Sequence, residues 1–380
     1  MVNVEHSLLP PASAFEAISV AWGGFQNICA ETEMSSPESH GTKKRRVRLP
    51  TEAGIAFVFL VVMLGGFIAT PNFLTVSNMM VLLLNGAVIG FLCLGQSFVL
   101  LTGGIDLSCG SVVAMTCVVA ALLMQSFGLP WQLAVPLVLV IGALAGIVNG
   151  WIIEKTGVPP FIVTFATMGV AASIPQIITG AESIRVTQIG YALIGQSRPF
   201  SVPFPVLALL VAIVLAALLL KRTVTGTHIY AVGGNADAAR LSGISVPRVT
   251  LFVYSVSGLC AACGGLIYGS RLMTGYPTAG RGDELFFSIA GAVVGGVSLF
   301  GGSGSIVGAM IGAMLIAAIS NLMNVLNVSA YWQPLVIGLI ILIGVTLDTM
   351  RSNKRLNFPW LKSRKERKLA QRSDSLKGTS

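Results

Sequence analysis

Residues 101–110 read LTGGIDLSCG, and they place a single acidic side chain, Asp106, between two long apolar runs. Residues 79–101 before it and 107–153 after it carry no charge. A carboxylate inside such a run is costly in a bilayer, so it faces protein or a water-filled path rather than lipid. Two local roles are open. Gly103 and Gly104 break a helix, and Asp106 caps the next one by accepting from its free amides, or Asp106 contacts a solute directly. The two are compatible, because a helix broken at membrane depth is tolerated where protein or a cavity covers it.

Composition agrees with this reading. The 380 residues are 54% hydrophobic and 10% charged, with a mean hydropathy of +0.82. A soluble domain carries about 25% charged residues, so the sequence is that of an all-α polytopic membrane protein. With roughly 20 apolar residues per crossing, about ten transmembrane helices are expected, at 51–70, 78–101, 107–127, 132–153, 161–180, 204–220, 249–269, 285–300, 303–325 and 331–349. Breaks near 101–110 and 300–303 could each belong to a re-entrant segment. The net charge is +9, yet 15 of the 24 Lys and Arg lie in two tails, 43–48 and 351–377. That distribution suits orientation and contact with anionic membrane lipid, not nucleic acid. With an inside amino terminus, 20 of the 24 fall on the inner side, leaving Arg185, Arg198, Arg271 and Arg281 outside. Both termini are therefore expected in the cytoplasm.

Three regions follow. Residues 1–50 form a polar amino-terminal extension, within which Met34 is the expected translation start. Residues 51–350 form the transmembrane domain, with an inner loop at 221–248, and 351–380 form a basic tail. Gly142, Gly146 and Gly150 recur every four residues in the fourth span, as do Gly304, Gly308 and Gly312 in the ninth. Such a spacing makes a flat helix face for close packing. Its place in both groups of five suggests two inverted halves of five helices.

The inner loop carries a short helix with signals at both ends. Asn235 suits an N-cap, Asp237 the first turn and Arg240 the last. Gly243 supplies a left-handed stop and Pro247 prevents continuation. The segment Asn235, Ala236, Asp237, Ala238, Ala239, Arg240, Leu241, Ser242 and Gly243 therefore reads as a helix whose position matters to a partner.

Chemistry is absent from the sequence pattern. No GxxxxGK[ST] occurs, and GGVSLFGGSGS at 295–305 has no lysine to reach a phosphate. Cys260 and Cys263 form a CxxC inside an apolar helix, where small packing residues are expected. No metal, cofactor or nucleophile–base set is expected on this chain.

LTGGIDLSCGS resembles the signature of permease subunits of bacterial ribose/xylose-type ABC sugar importers. Four further stretches agree: NGWIIEKTGVPPFIVTFATMG (149–169), YAVGGNADAARLSGI (230–244), PTAGRGDELFFSIAGAVVGGVSLFGGSGSIVGAMIGA (277–313) and NVSAYWQPLVIG (327–338). The resemblance covers about residues 50–350. It implies a dimeric channel subunit in the bacterial inner membrane, with a periplasmic or lipoprotein sugar-binding protein outside. Inside, it implies an ATPase subunit that uses ATP and Mg. It also implies that 235–243 is the coupling helix docked on that ATPase.

A polar path for the solute has ten candidates: Asn85, Gln96, Thr102, Asp106, Ser108, Asn149, Thr164, Thr167, Asn321 and Asn324. A polar residue of this kind more often makes a helix-to-helix hydrogen bond than lines a path. The competing readings are a branched-chain amino-acid permease of the same general plan, an ion-coupled secondary transporter and an intramembrane enzyme.

Overall fold

A helix surrounded by protein along most of its length needs little amphipathic pattern, and two such helices form the centre of this protein. The structure, a computed structural model, describes residues 51–280, 282–329 and 331–352. The expected extension 1–50 and the basic tail beyond 352 lie outside the described residues. In α2 (Val76–Leu101) every residue from 86 to 101 is buried. Beside it runs α10 (Val246–Leu272), which packs against α2, α3 (Cys109–Gln125) and α4 (Trp131–Thr156). Around this centre stand α1 (Thr51–Ala69), α5 (Pro160–Thr179), α7 (Phe204–Arg222), α11 (Glu284–Val294), α12 (Ile306–Val325) and α13 (Trp332–Ser352). The outer helices turn Phe57, Ile68, Val211 and Leu215 outward, as a lipid-facing surface requires.

These ten apolar helices fall one for one on the ten expected spans. Seven of them are long and apolar enough to cross a membrane; α3, α11 and the apolar part of α13 are shorter. The eighth span needs correction, because the expected 285–300 ends at Val294. Eleven residues rise about 16 Å, roughly half of a ~30 Å hydrocarbon core. Glycine is the physical reason. Gly296, Gly301, Gly302 and Gly304 all adopt positive φ in the connection at 295–305, which no helix accommodates. Both groups of five thus contain a long second helix, α2 or α10, followed by a short third one, α3 or α11.

The glycine ridges close the packing. A Cβ on Gly146 would lie 1.9 Å from the Tyr254 carbonyl oxygen, so the α4 and α10 backbones touch. In α12, a Cβ on Gly308 or Gly312 would lie 2.2 or 2.1 Å from the Gly295 or Gly291 carbonyl oxygen at α11. Gly304 is not part of that ridge: it precedes α12, in the connection with φ 147°. The two ridges therefore have different lengths and different kinds of partner.

Smaller elements were not expected from the sequence. Ile184–Arg185 (β1) pairs antiparallel with Thr274–Gly275 (β2), tying the connection before α7 to the one after α10. The short α6 (Ala192–Gln196) lies in the same region. Two further helices fill the inner loop: α8 (Val224–Gly234), likewise not expected, and α9 (Ala236–Leu241), which is the short helix that the sequence does predict there.

Gly146→Ala is expected to force α4 from α10 at a cost of about 1–3 kcal/mol. Thermal unfolding in detergent should show a lower midpoint for this variant, while Gly169→Ala, whose Cβ meets nothing within 4 Å, should not move it.

Candidate functional site

The helix break after α2 is held in a defined shape by its own glycines and by four surrounding helices. Gly103 takes φ 79°, and the Gly103 and Gly104 amides donate back to the Leu100 and Val99 carbonyls at 2.8 and 3.1 Å. Residues 105–108 then continue as non-helical chain to α3. Gln96 of α2 places its amide across Asp106, donating to the Asp106 carbonyl at 3.0 Å and accepting from its N–H at 3.3 Å. The Ile105 carbonyl accepts from Thr164 of α5 at 3.0 Å and from the Tyr254 hydroxyl of α10 at 3.5 Å.

Asp106 itself is 1% exposed. Its Oδ1 accepts from the Ser108 amide at 2.9 Å and the Ser108 hydroxyl at 2.6 Å. Its Oδ2 accepts from the Ser257 hydroxyl of α10 at 2.6 Å. Asn149 of α4 donates to the Ser108 hydroxyl at 2.9 Å, and its own Oδ1 has no partner. The expectation that Asp106 caps α3 is corrected here. Ser108 is the N-cap, so the carboxylate lies two residues too early to reach the second or third helical amide. It makes an Asx-type turn instead, bonding the amide two residues on. Asn149 lies seven residues from the end of α4 and Ser257 eleven from the start of α10. The network is therefore roughly 10–16 Å from that end of the bundle.

The remaining path candidates are dispersed. Thr102 donates to the Val99 carbonyl and Thr167 to the Thr164 carbonyl, both within their own turns. Asn85 accepts from Arg271 at 2.8 Å. Asn321 exchanges hydrogen bonds with Asn78 at 2.8 and 3.0 Å, and Asn324 accepts from Gln333 at 2.8 Å. The structure brings Gln96, Asp106, Ser108, Asn149 and Thr164 into one network and leaves the others outside it.

A cavity of about 470 Å³ lies beside that network, and none of the ten candidates lines it. Its walls come from Leu107, Gly110 and Ser111 at the start of α3, from Phe165, Met168, Gly169 and Ala172 of α5, and from Gly280, Gly282, Leu285 and Phe286. The two short helices begin here together. A Cβ on Gly110 would lie 2.5 Å from the Gly280 carbonyl oxygen and 3.6 Å from Leu285. Neither N-cap residue, Ser108 or Asp283, places its side chain on the helix amides. The Ser111 hydroxyl offers a hydrogen bond between otherwise apolar walls, and no N-cap side chain covers the first-turn amides of either helix. The sequence reading missed these residues. Phe165, Met168, Gly169 and Ala172 repeat at helical spacing, but that stripe is indistinguishable from an ordinary packing face.

On the inner loop, Asn235 Oδ1 accepts from the Ala238 amide at 2.9 Å, Asp237 stands in the first turn of α9 and Arg240 in the last. Gly243 takes φ 83° beyond Ser242. Only Ala239 of α9 is buried; Ala236, Asp237, Ala238 and Arg240 are exposed, and Leu241 is 90% exposed. Among the described residues no group of three or more His, Cys, Asp or Glu is placed to hold a metal ion.

Residues 78–345 match the family described as branched-chain amino acid transport system / permease component. The chain is 37% identical over 327 residues to the ribose import permease protein RbsC of Haemophilus influenzae, which covers 85% of this chain and all of that protein. It is 40% identical over 287 residues to the ribose import permease protein RbsC of Bacillus subtilis, covering 75% and 88% of the two chains. The D-allose transport system permease protein AlsC of Escherichia coli is 33% identical over 293 residues, covering 77% and 90%. No solved structure matches the chain.

Asp106→Ala leaves three buried donors without their acceptor, each costing about 1–3 kcal/mol. Asp106→Asn keeps an acceptor for Ser108, and the Ser257 hydroxyl can rotate to accept. The thermal midpoint of the purified protein should fall clearly for Asp106→Ala and much less for Asp106→Asn. Equal losses would show that the charge, not the hydrogen bonding, holds the break.

Proposed function

This chain belongs to the branched-chain amino acid transport system / permease component family, and we propose that it is the membrane-spanning subunit of an ATP-driven importer of a monosaccharide or related polyol. It is a multi-pass protein of the bacterial inner membrane, with both termini in the cytoplasm. The observation that carries this reading is the cavity walled by the starts of two short helices, α3 and α11, beside an immobilised break. Discontinuous helices that begin inside the membrane present unpaired amides to a polar solute without any backbone facing lipid. The ribose and allose permeases among the relatives supply the solute class.

A sugar needs only a shallow site here. Phe165 and Phe286 offer apolar faces to the ring, while Ser111 and the amides of the two helix starts meet hydroxyls. Tight capture belongs to a periplasmic or lipoprotein sugar-binding protein on the outer side. On the inner side, α9 with its exposed Leu241 and flanking Asp237 and Arg240 docks on an ATPase subunit. ATP is bound there with Mg and hydrolysed, and no cofactor is assigned to this chain. A second copy of the chain completes the channel. Closure of the ATPase dimer moves α9, and the bundle changes which end of the cavity is open.

The test is purification of the tagged chain from its host membrane. An ATPase subunit is expected to come with it, and proteoliposomes of the complex should accumulate a monosaccharide only when ATP and the sugar-laden binding protein are both present. A chain that came out alone and moved solute down an ion gradient would overturn this reading.

A further inference from the structure

The carboxyl end of α8 lies where the two helix breaks meet. The Gly302 amide donates to the Leu101 carbonyl at 3.0 Å, joining the connection at 295–305 to the end of α2. Gly233, one residue from the end of α8, is inserted at that joint. A Cβ there would lie 1.8 Å from the Leu101 oxygen and 2.5 Å from the Gly302 nitrogen. From the other side, a Cβ on Gly301 would lie 2.7 Å from the Gly233 oxygen and 2.8 Å from the Gly103 nitrogen. Three backbones therefore touch at a point with no room for any side chain. One turn earlier in α8, the Tyr230 hydroxyl donates to the Gly304 carbonyl at 3.0 Å, a second tie to the same connection. A phenol is protonated at neutral pH, and burial raises the Tyr230 pKa further, so the hydroxyl is a donor.

From α8 the chain passes to α9 through one residue. Asn235 donates its amide to the Ala231 carbonyl at 3.1 Å, closing α8, while its side chain caps α9. A junction fixed on both sides leaves little freedom between the two helices, so they move together.

We propose that Gly233 and Tyr230 are positioning residues that link α9 to both helix breaks, so that displacement of α9 is delivered directly to the backbone leading to Asp106 and Leu107. The link rests on the functional reading above, because α9 has a displacement to deliver only if an ATPase moves it. It assigns a role to glycines that touch no solute: Gly233 passes motion from the partner surface to the wall of the cavity.

The experiment compares uptake per ATP hydrolysed in proteoliposomes of the complete complex, carrying wild-type chain, Gly233→Ala, Gly234→Ala or Tyr230→Phe. Gly234 is the internal control, since a Cβ there meets nothing within 4 Å. Gly233→Ala is expected to hydrolyse ATP while sugar moved per ATP falls roughly tenfold. Tyr230→Phe, which adds no atom, should lower the ratio roughly threefold, and Gly234→Ala should match wild type. A wild-type ratio in an assembled Gly233→Ala complex overturns the link, as does an equal fall in Gly234→Ala. Should Gly233→Ala fail to assemble, the Tyr230→Phe ratio decides, and a wild-type value overturns the link. A wild-type complex without ATP-driven uptake would instead overturn the functional reading, and the link with it.

Discussion

A peptide chain that leaves its helix inside a membrane must find partners for every amide and carbonyl it frees. At 102–108 those partners are the Gln96 amide, Thr164, Tyr254 and the Asp106 carboxylate with its three donors. An unpaired polar group in hydrocarbon costs several kcal/mol, whereas a hydrogen bond between membrane helices contributes about 0.6–2 kcal/mol. The network therefore adds little stability of its own. Its effect is to make one non-helical conformation tolerable and the alternatives costly.

Much of the architecture follows from that break. Because α3 starts late and α11 is only eleven residues long, two helix starts meet within the bundle, and α5 faces them across a cavity. Close glycine contacts between α4 and α10 and between α11 and α12 bring the backbones near enough for short side chains such as Ser108, Asn149 and Ser257 to bridge helices. Longer residues on those ridges would separate the donors from Asp106. Packing and hydrogen bonding are thus one constraint, expressed in two kinds of residue.

The ten apolar spans were legible because hydropathy acts over about twenty residues and needs no knowledge of neighbours. The ends of α9 were legible because Asn235 and Gly243 act on their own turns. Other features depend on contacts that sequence spacing does not encode. The helix α11 stops at Val294 although Val297, Leu299 and Phe300 continue its apolar character, because glycines on both sides fold that stretch against α2 and α8. The helix α8 contains Gly226, Gly233 and Gly234 and reads as loop, yet its packing against neighbouring helices outweighs their poor propensity. The path candidates were chosen as polar residues in apolar runs, and the cavity is lined instead by Leu107, Phe165, Met168, Leu285 and Phe286. Gln96, Asp106, Ser108, Asn149 and Thr164 hold the break and its neighbouring helices to one another, and the open space lies beside them.

The central claim is that the cavity between α3, α5 and α11 opens alternately to the two sides of the membrane. A cysteine replacing Gly169, which lines that cavity and has open space about it, tests this most directly. Its reaction with a membrane-impermeant maleimide would be followed from each side of proteoliposomes holding the complete complex, with and without trapped ATP. The account predicts that labelling from one side is lost on trapping while labelling from the other appears. The same reactivity from the same side in both states would contradict it.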